Sequence, residues 1–379
     1  MAIANLGNLE MKKVLLGTSA LLGVGLLAGT AAASDGVKLS LGGFMRSYYG
    51  MTFDDDGDGD RGHDRNLGGL GTDAEVYFTG SVTLDNGITV GARIELEGED
   101  ENDQIDAAYA YFKGGFGEIR IGSTDGAASN MYMLPPGSTS NFGPYSPNTL
   151  GSAISPGSFG PQGMFEAQDK SQKIVYYSPN WSGFSFGLSY TPNDNEEQYS
   201  GTDNADGTFH PAREDDSANH NVGVGLHYDY AGEGWNLVLG GAAYFEGDVE
   251  ETVGNPEGQG YNAGVNLGFG GLTVGAAFTF LNDINGENDD IWAVGTGLSY
   301  NVDAWTVGAG WAHTESEIDG LSENRIIDRL GVTGSYAMGP GITLDAGVFH
   351  SWASTDEDDT AGLDDYDSIE FSVGSSISF

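Results

Sequence analysis

The chain has 379 residues: 62 glycines, 56 acidic and 14 basic side chains, no cysteine, and a formal net charge of −42. Glycine this abundant without a Gly-X-Y period is not collagen, and scarce lysine with no heptad pattern excludes coiled coils and helical bundles. So acidic a surface excludes nucleic acid as a partner, because phosphate contacts need lysine and arginine; without cysteine there is no disulfide, thiolate zinc site or cysteine nucleophile.

The first segment reads as a leader. Met11, Lys12 and Lys13 open a charged region, Val14 to Ala28 is apolar and rich in small residues, and Ala31-Ala32-Ala33 offers an A-x-A cleavage site before Ser34. We expect residues 1–33 to be a leader region with the signal peptide over 11–33, cleaved after Ala33, and Met11 to be the true start. Its apolar stretch is short beside the ~20 residues a spanning helix needs. The mature domain is then 34–379.

The mature chain is a succession of alternating segments. In the first, Leu39, Leu41, Gly43 and Met45 alternate with Lys38, Ser40, Gly42 and Arg46; in the last, Ile369, Phe371, Val373, Ile377 and Phe379 alternate with polar or small residues. A period of two is a strand with one apolar and one polar face. Sixteen such segments are expected, near 37–49, 74–85, 88–97, 104–113, 117–123, 172–177, 184–191, 220–230, 235–245, 260–269, 272–281, 291–300, 304–314, 325–336, 342–352 and 367–379. Most are close to the ~9–11 residues of a tilted transmembrane strand. Short turns such as Asp85-Asn86-Gly87 and Gly270-Gly271 alternate with long acidic connections such as Asp54 to Asp73 and Asn193 to Asn219. Aromatic residues fall near strand ends (Tyr48, Tyr49, Trp181, Trp235, Trp292, Trp305, Trp352). Short turns on one rim, long loops on the other and aromatic girdles predict an all-β, antiparallel, sixteen-stranded transmembrane barrel in the outer membrane. A soluble sandwich would alternate too, but would not sort its loops by rim.

The connection after 117–123 breaks the pattern. From Thr124 to Ser171 it has almost no periodicity, carries Pro135-Pro136-Gly137 and Phe142-Gly143-Pro144, and is less acidic than the others. Long structureless loops in compact domains are either functional or disordered; a disordered external loop is the alternative here, but Met131, Met133, Met164 and the aromatics suggest packing rather than solvation. Arg46, Arg93 and Arg120 lie on the polar parity of the first, third and fifth segments, so they project into a lumen; local pairing of Arg93 with Glu95 and of Arg120 with Glu118 is the plainer use for two of them.

Leu39-Ser40-Leu41-Gly42-Gly43-Phe44-Met45-Arg46, the Asp85 to Gly91 turn and strand, Tyr109-Ala110-Tyr111-Phe112, Gly117 to Ser123 and the terminal Phe379 together make a pattern that resembles the trimeric, sixteen-stranded general porins of Gram-negative outer membranes. The resemblance implies a homotrimer passing small hydrophilic solutes and ions, with a closing phenylalanine, Phe379, read by the outer-membrane assembly machinery. It implies that the third long loop folds into the lumen and that basic residues on the wall (Arg46, Arg93, Arg120, with Lys173 and Arg329 as additions) face loop carboxylates, here Asp125, Glu166 and Asp169. The Pro-Glu-Phe-Gly motif that some members carry in that loop is absent.

Acidic loops would enrich cations near the mouth within a Debye length of ~8 Å, giving weak cation selectivity. Asp54, Asp56, Asp58 and Gly59 match the first positions of an EF-hand loop, but position 12 is Arg65 and no helices flank it. Loose Ca2+ binding at Asp54, Asp56 and Asp58, bridging loops or neighbouring lipopolysaccharide, is the residual expectation; no cofactor is required. No H-E-x-x-H, G-x-S-x-G or P-loop occurs, so no enzyme is expected. The rivals are a substrate-specific channel, which aromatic tracks along the lumen would mark, and a plugged structural or adhesive barrel.

Overall fold

Each alternating segment becomes a strand of one closed sheet. The computed structural model describes residues 36–55, 68–98, 105–145, 170–193, 219–247, 258–283, 290–317, 324–354 and 366–379; the expected leader, 1–33, lies outside them. The first strands are β1 (Lys38–Asp55), β2 (Gly68–Thr83), β3 (Thr89–Glu97), β4 (Ile105–Gly114) and β5 (Gly117–Ser123). After helix α1 (Ala127–Met131) come β6 (Gln172–Tyr177), β7 (Phe184–Asn193), β8 (Asn219–Ala231), β9 (Trp235–Phe245), β10 (Gln259–Phe269) and β11 (Leu272–Asn282). The barrel ends with β12 (Asp290–Val302), β13 (Trp305–Ser316), β14 (Arg325–Gly339), β15 (Ile342–Ser354) and β16 (Tyr366–Ser378).

Every strand pairs antiparallel with its sequence neighbours, and β1 closes the barrel on β16, from Phe44↔Ser378 to Asp55↔Asp367. Closure leaves no edge with unpaired backbone groups, which hydrocarbon would not tolerate. The last residue completes the seam: Phe379 exchanges backbone hydrogen bonds of 3.0 Å with Gly43 in both directions. The two faces sort by parity. Leu39, Leu41, Val332, Val373 and Ile377 are exposed outward, whereas their neighbours Ser372 and Glu370 are buried on the inside.

Sixteen strands stand where alternation places them, but β1 and β2 run further than expected. Thr52 to Asp55 continue the ladder with β16, and Gly68 to Asp73 continue the ladder with β1. Aspartate and glycine have poor strand propensity, so the periodicity fades before the strands do; partners already in register on both sides extend them. Asp54 is the last residue but one of β1, and Asp56 and Asp58 lie outside the described residues. Tyr48, expected at the membrane interface, points inward and meets the Phe142 ring edge-on at 6.0 Å.

The densest packing lies inside the barrel, where the third long connection rests against the wall. Ala127, Ala128, Met131, Met133, Phe142 and Tyr145 are all buried.

Candidate functional site: the lumenal wall and the inward loop

The described half of the long loop, residues 124–145, circles the interior from β6 to β1. Helix α1 packs against β7, β8 and β9. The Ala127 amide donates to Ser189 Oγ (3.0 Å), and His227 Nε2 lies 2.7 Å from the Met131 carbonyl. On β10, Asn262 bonds both the amide (2.6 Å) and the carbonyl (3.1 Å) of Met133, and Asn266 donates to Leu134 O at 3.0 Å. Tyr145 donates to Thr296 O on β12 (2.5 Å), Thr333 on β14 donates to Gly137 O (2.8 Å), and Asn141 donates to Asp345 on β15 (2.6 Å). Burial raises the Tyr145 pKa, which keeps its hydroxyl a neutral donor.

Glycine on the wall makes this close approach feasible. A Cβ at Gly225 would stand 2.3 Å from Met131 Cβ, and one at Gly297 would stand 1.9 Å from Pro136 O. Gly137, with φ +129°, turns the loop where a side chain would meet Ala309 O at 2.8 Å.

The neck of the loop is clamped by lysines. Lys173 is 4% exposed, and its ammonium donates to Thr124 O (2.5 Å) and Ser171 O (2.8 Å), one carbonyl from each side of the loop's base. Lys170 reaches Asp125 (2.8 Å) and Asp106 (3.4 Å), and its carbonyl accepts from Ser123 Oγ. The expected loop carboxylate Asp125 is therefore held at the neck by Lys170. Glu166 and Asp169 lie outside the described residues.

Opposite, β1 to β5 carry the arginines, each laid on aromatic rings and paired with a nearby carboxylate. Arg46 Nη1 is 2.9 Å from Asp73 and its guanidinium lies 4.4 Å from the Phe44 ring centroid. Arg93 pairs through Nε with Glu95 and covers Tyr77 at 4.0 Å. Arg120 pairs through Nε with Glu118 at 2.7 Å and sits between Tyr109 (5.2 Å) and Tyr177 (5.0 Å). An aromatic ring beneath the guanidinium and a carboxylate beside it hold each long side chain flat to the wall. All three remain partly exposed, so their charge still acts on the lumen. Arg329 differs: it is 1% exposed, 3.2 Å from Glu370 and stacked over Phe349 at 4.5 Å. Parity tells which side of the wall a residue occupies, not what packs over it, so Lys173 and Arg329 face inward yet are enclosed.

A closed sixteen-stranded barrel with an inward third loop and this wall is matched by the family model described as Gram-negative porin, over residues 17–360. The chain belongs to that family. It is an outer-membrane porin, a channel protein. Among solved structures it is similar to the anion-selective porin from Comamonas acidovorans (17% identity, TM-score 0.59, covering 90% of this chain and 100% of that one). It is also similar to OmpF of Salmonella typhi in complex with daunomycin (15%, 0.59, 92% and 100%) and to the trimer form of OmpT from Vibrio cholerae (13%, 0.56, 91% and 100%). At these identities the likeness is one of fold. No curated protein matches.

The porin's wall also holds residues that alternation alone did not single out. Tyr77, Tyr109 and Tyr177 are the platforms under Arg93 and Arg120; their polar parity was the available signal. Glu75, Glu95 and Asp106 bring carboxylate oxygens within 4.8 Å of one another, a set that could hold a hard cation, with Lys170 alongside as counter-charge. A register shift at Glu95/Leu96 in the β3–β4 ladder places Asp106 there, and no sequence pattern announces a bulge. Below α1, a cavity of about 440 Å³ is lined by Lys113, Glu118, Arg120, Asn130 and Tyr177.

Proposed function

We propose that this porin is a homotrimeric, weakly cation-selective pore for passive diffusion of ions and small hydrophilic solutes. The observation that carries the reading is the lumenal geometry: a loop seated on the β7–β16 wall faces an arc of arginines and carboxylates on β1–β5. Field across such a gap orients polar solutes and penalises apolar ones. Each of the three arginines on the arc has a carboxylate beside it, so the wall itself is close to balanced. The net charge of −42 then tips the balance towards cations from the loops and vestibule. The anion selectivity named for the Comamonas porin belongs to that protein; sign is set by side chains that a fold likeness does not carry.

Trimerisation draws support from the outer surface. Towards the long connections the outward residues of β2–β4 are small or aliphatic (Thr72, Ala74, Ala92, Ile94, Ala108, Ala110), with aromatics, Phe78 and Phe112, only towards the short turns, which suits a protein-covered upper sector. We also carry forward recognition of Phe379 by the assembly machinery and loose Ca2+ binding by the acidic loops.

Planar-bilayer recording under a salt gradient tests the reading. Large, non-saturating steps with a cation-selective reversal potential are expected; an anion-selective potential would overturn the selectivity. The second reading, a channel with a solute-binding site, is favoured by the tyrosine-lined arc and the cavity below α1. Saturating conductance with block by one solute class would choose it.

A further inference from the structure

Strand register assembles a cavity rich in hydrogen-bond donors below α1. Lys113 on β4 stands opposite Glu118 on β5, and Glu118 opposite Tyr177 on β6, all with lumenal parity. Glycine at 114 and 117 leaves the space beside the adjoining short turn unfilled, and Asn130 and Met131 of α1 close it from above. The cavity, about 440 Å³, falls within the ~300–1,000 Å³ of small-molecule sites. Of the three wall arginines it takes in Arg120 alone, so it lies apart from most of the arc.

Glu118 already has both oxygens engaged, Oε1 by Arg120 Nε at 2.7 Å and Oε2 by Lys113 Nζ at 3.3 Å. Two cations against one carboxylate leave the described lining with one positive charge in excess. Tyr109 and Tyr177 flank the Arg120 guanidinium, and its Nε is taken, so what remains is the Nη edge, which has no partner among the described residues. The Tyr177 hydroxyl accepts from Asn130 Nδ2 at 2.8 Å, which leaves its own proton to donate, and Ser185 adds a second hydroxyl to the lining. Such a set calls for an acceptor. The guanidinium edge matches the two coplanar oxygens of a carboxylate, and a single excess charge matches a monoanion better than a phosphate dianion. Met131, Pro179 and the glycines offer the rest of the solute an apolar surface.

We propose that the cavity below α1 is a binding subsite for small organic monocarboxylates with a compact apolar body. The proposal deepens the reading of this porin as a channel with a solute-binding site, and rests on it. The test adds benzoate to single wild-type channels in a planar bilayer and reads current interruptions against concentration. Benzoate should interrupt the current in a saturable way. Benzamide, its neutral analogue, should not, and sulfate, an anion without an apolar body, should need a far higher concentration. Arg120→Gln should raise the half-blocking concentration about tenfold, as loss of a bidentate charge-assisted pair would, and Lys113→Gln should raise it several-fold. Lys113 is exposed, so its variant keeps the test decisive if Arg120→Gln assembles poorly. Thr306→Ala, beside a short turn of the opposite wall, should leave the block as it is. Equal block by benzamide, or block that survives both charge-removing variants, overturns the proposal; so does sulfate as effective as benzoate. Saturation by glucose or benzylamine but not by benzoate would sink the subsite and leave the solute-site reading standing. Saturation by none of them would remove both.

Discussion

An ammonium group enclosed at the base of a loop, bonded to a carbonyl from each side, is best understood as a clasp. Lys173→Met keeps the stem and removes the donors, leaving Thr124 O and Ser171 O buried without them. The expected cost is about 1–3 kcal/mol, seen as an earlier urea midpoint for the heat-modifiable gel shift and as noisier open-channel current. A variant as quiet and stable as the wild type would show that the neck needs no clasp. The arginines make the opposite case, because they keep their exposure. Replacing Arg46, Arg93 and Arg120 together by alanine removes three positive charges from the arc and frees Asp73, Glu95 and Glu118. Cation preference should rise several-fold in the permeability ratio; an unchanged ratio would remove them from the selectivity-determining wall.

At the scale of elements, the inward loop and the strands beneath it are fitted to each other. The loop needs hydrogen-bond partners for its irregular backbone, because buried peptide groups left unpaired are expensive. Asn262, Asn266, Thr333 and Asp345 are the wall's answer. It also needs room, and glycine provides that. Gly225→Val and Gly297→Val should each overpack the seat, at about 1–3 kcal/mol, and shift α1 or the Pro135-Pro136 stretch, changing single-channel conductance. Gly334→Ala is the control, since a Cβ there meets nothing within 4 Å. Equal conductance in all three would show that the loop does not shape the pore.

For the whole molecule, charge and closure are the relevant quantities. If acidic loops set selectivity from a distance, the reversal potential should lose its cation preference between 0.1 and 1 M salt, as the Debye length falls from ~10 Å to ~3 Å. A preference that persists at high salt would place selectivity at the arginine arc. Closure depends on β1 meeting β16, with Phe379 at the seam. Deleting Phe379 removes both backbone bonds to Gly43 and the ring packed above it. The yield of heat-modifiable barrels in the membrane should drop several-fold; full yield would remove the residue from assembly.

Strand number, strand order and the sorting of long from short connections were all legible, because a sheet wetted on one face and greasy on the other must alternate, and alternation is a property of neighbours in the chain. The polar parity of Arg46, Arg93 and Arg120 was legible for the same reason. Tertiary structure alone decided what covers each inward residue. Lys173 and Arg329 share the parity of the exposed arginines yet are enclosed, and Asp125 answers to Lys170 because the loop's two ends converge at one neck. Tyr48 shares the parity of Arg46, and only the loop crossing the barrel decides that it meets the Phe142 ring there. Periodicity records which side of a wall a residue faces, whereas enclosure depends on chain that returns from far along the sequence.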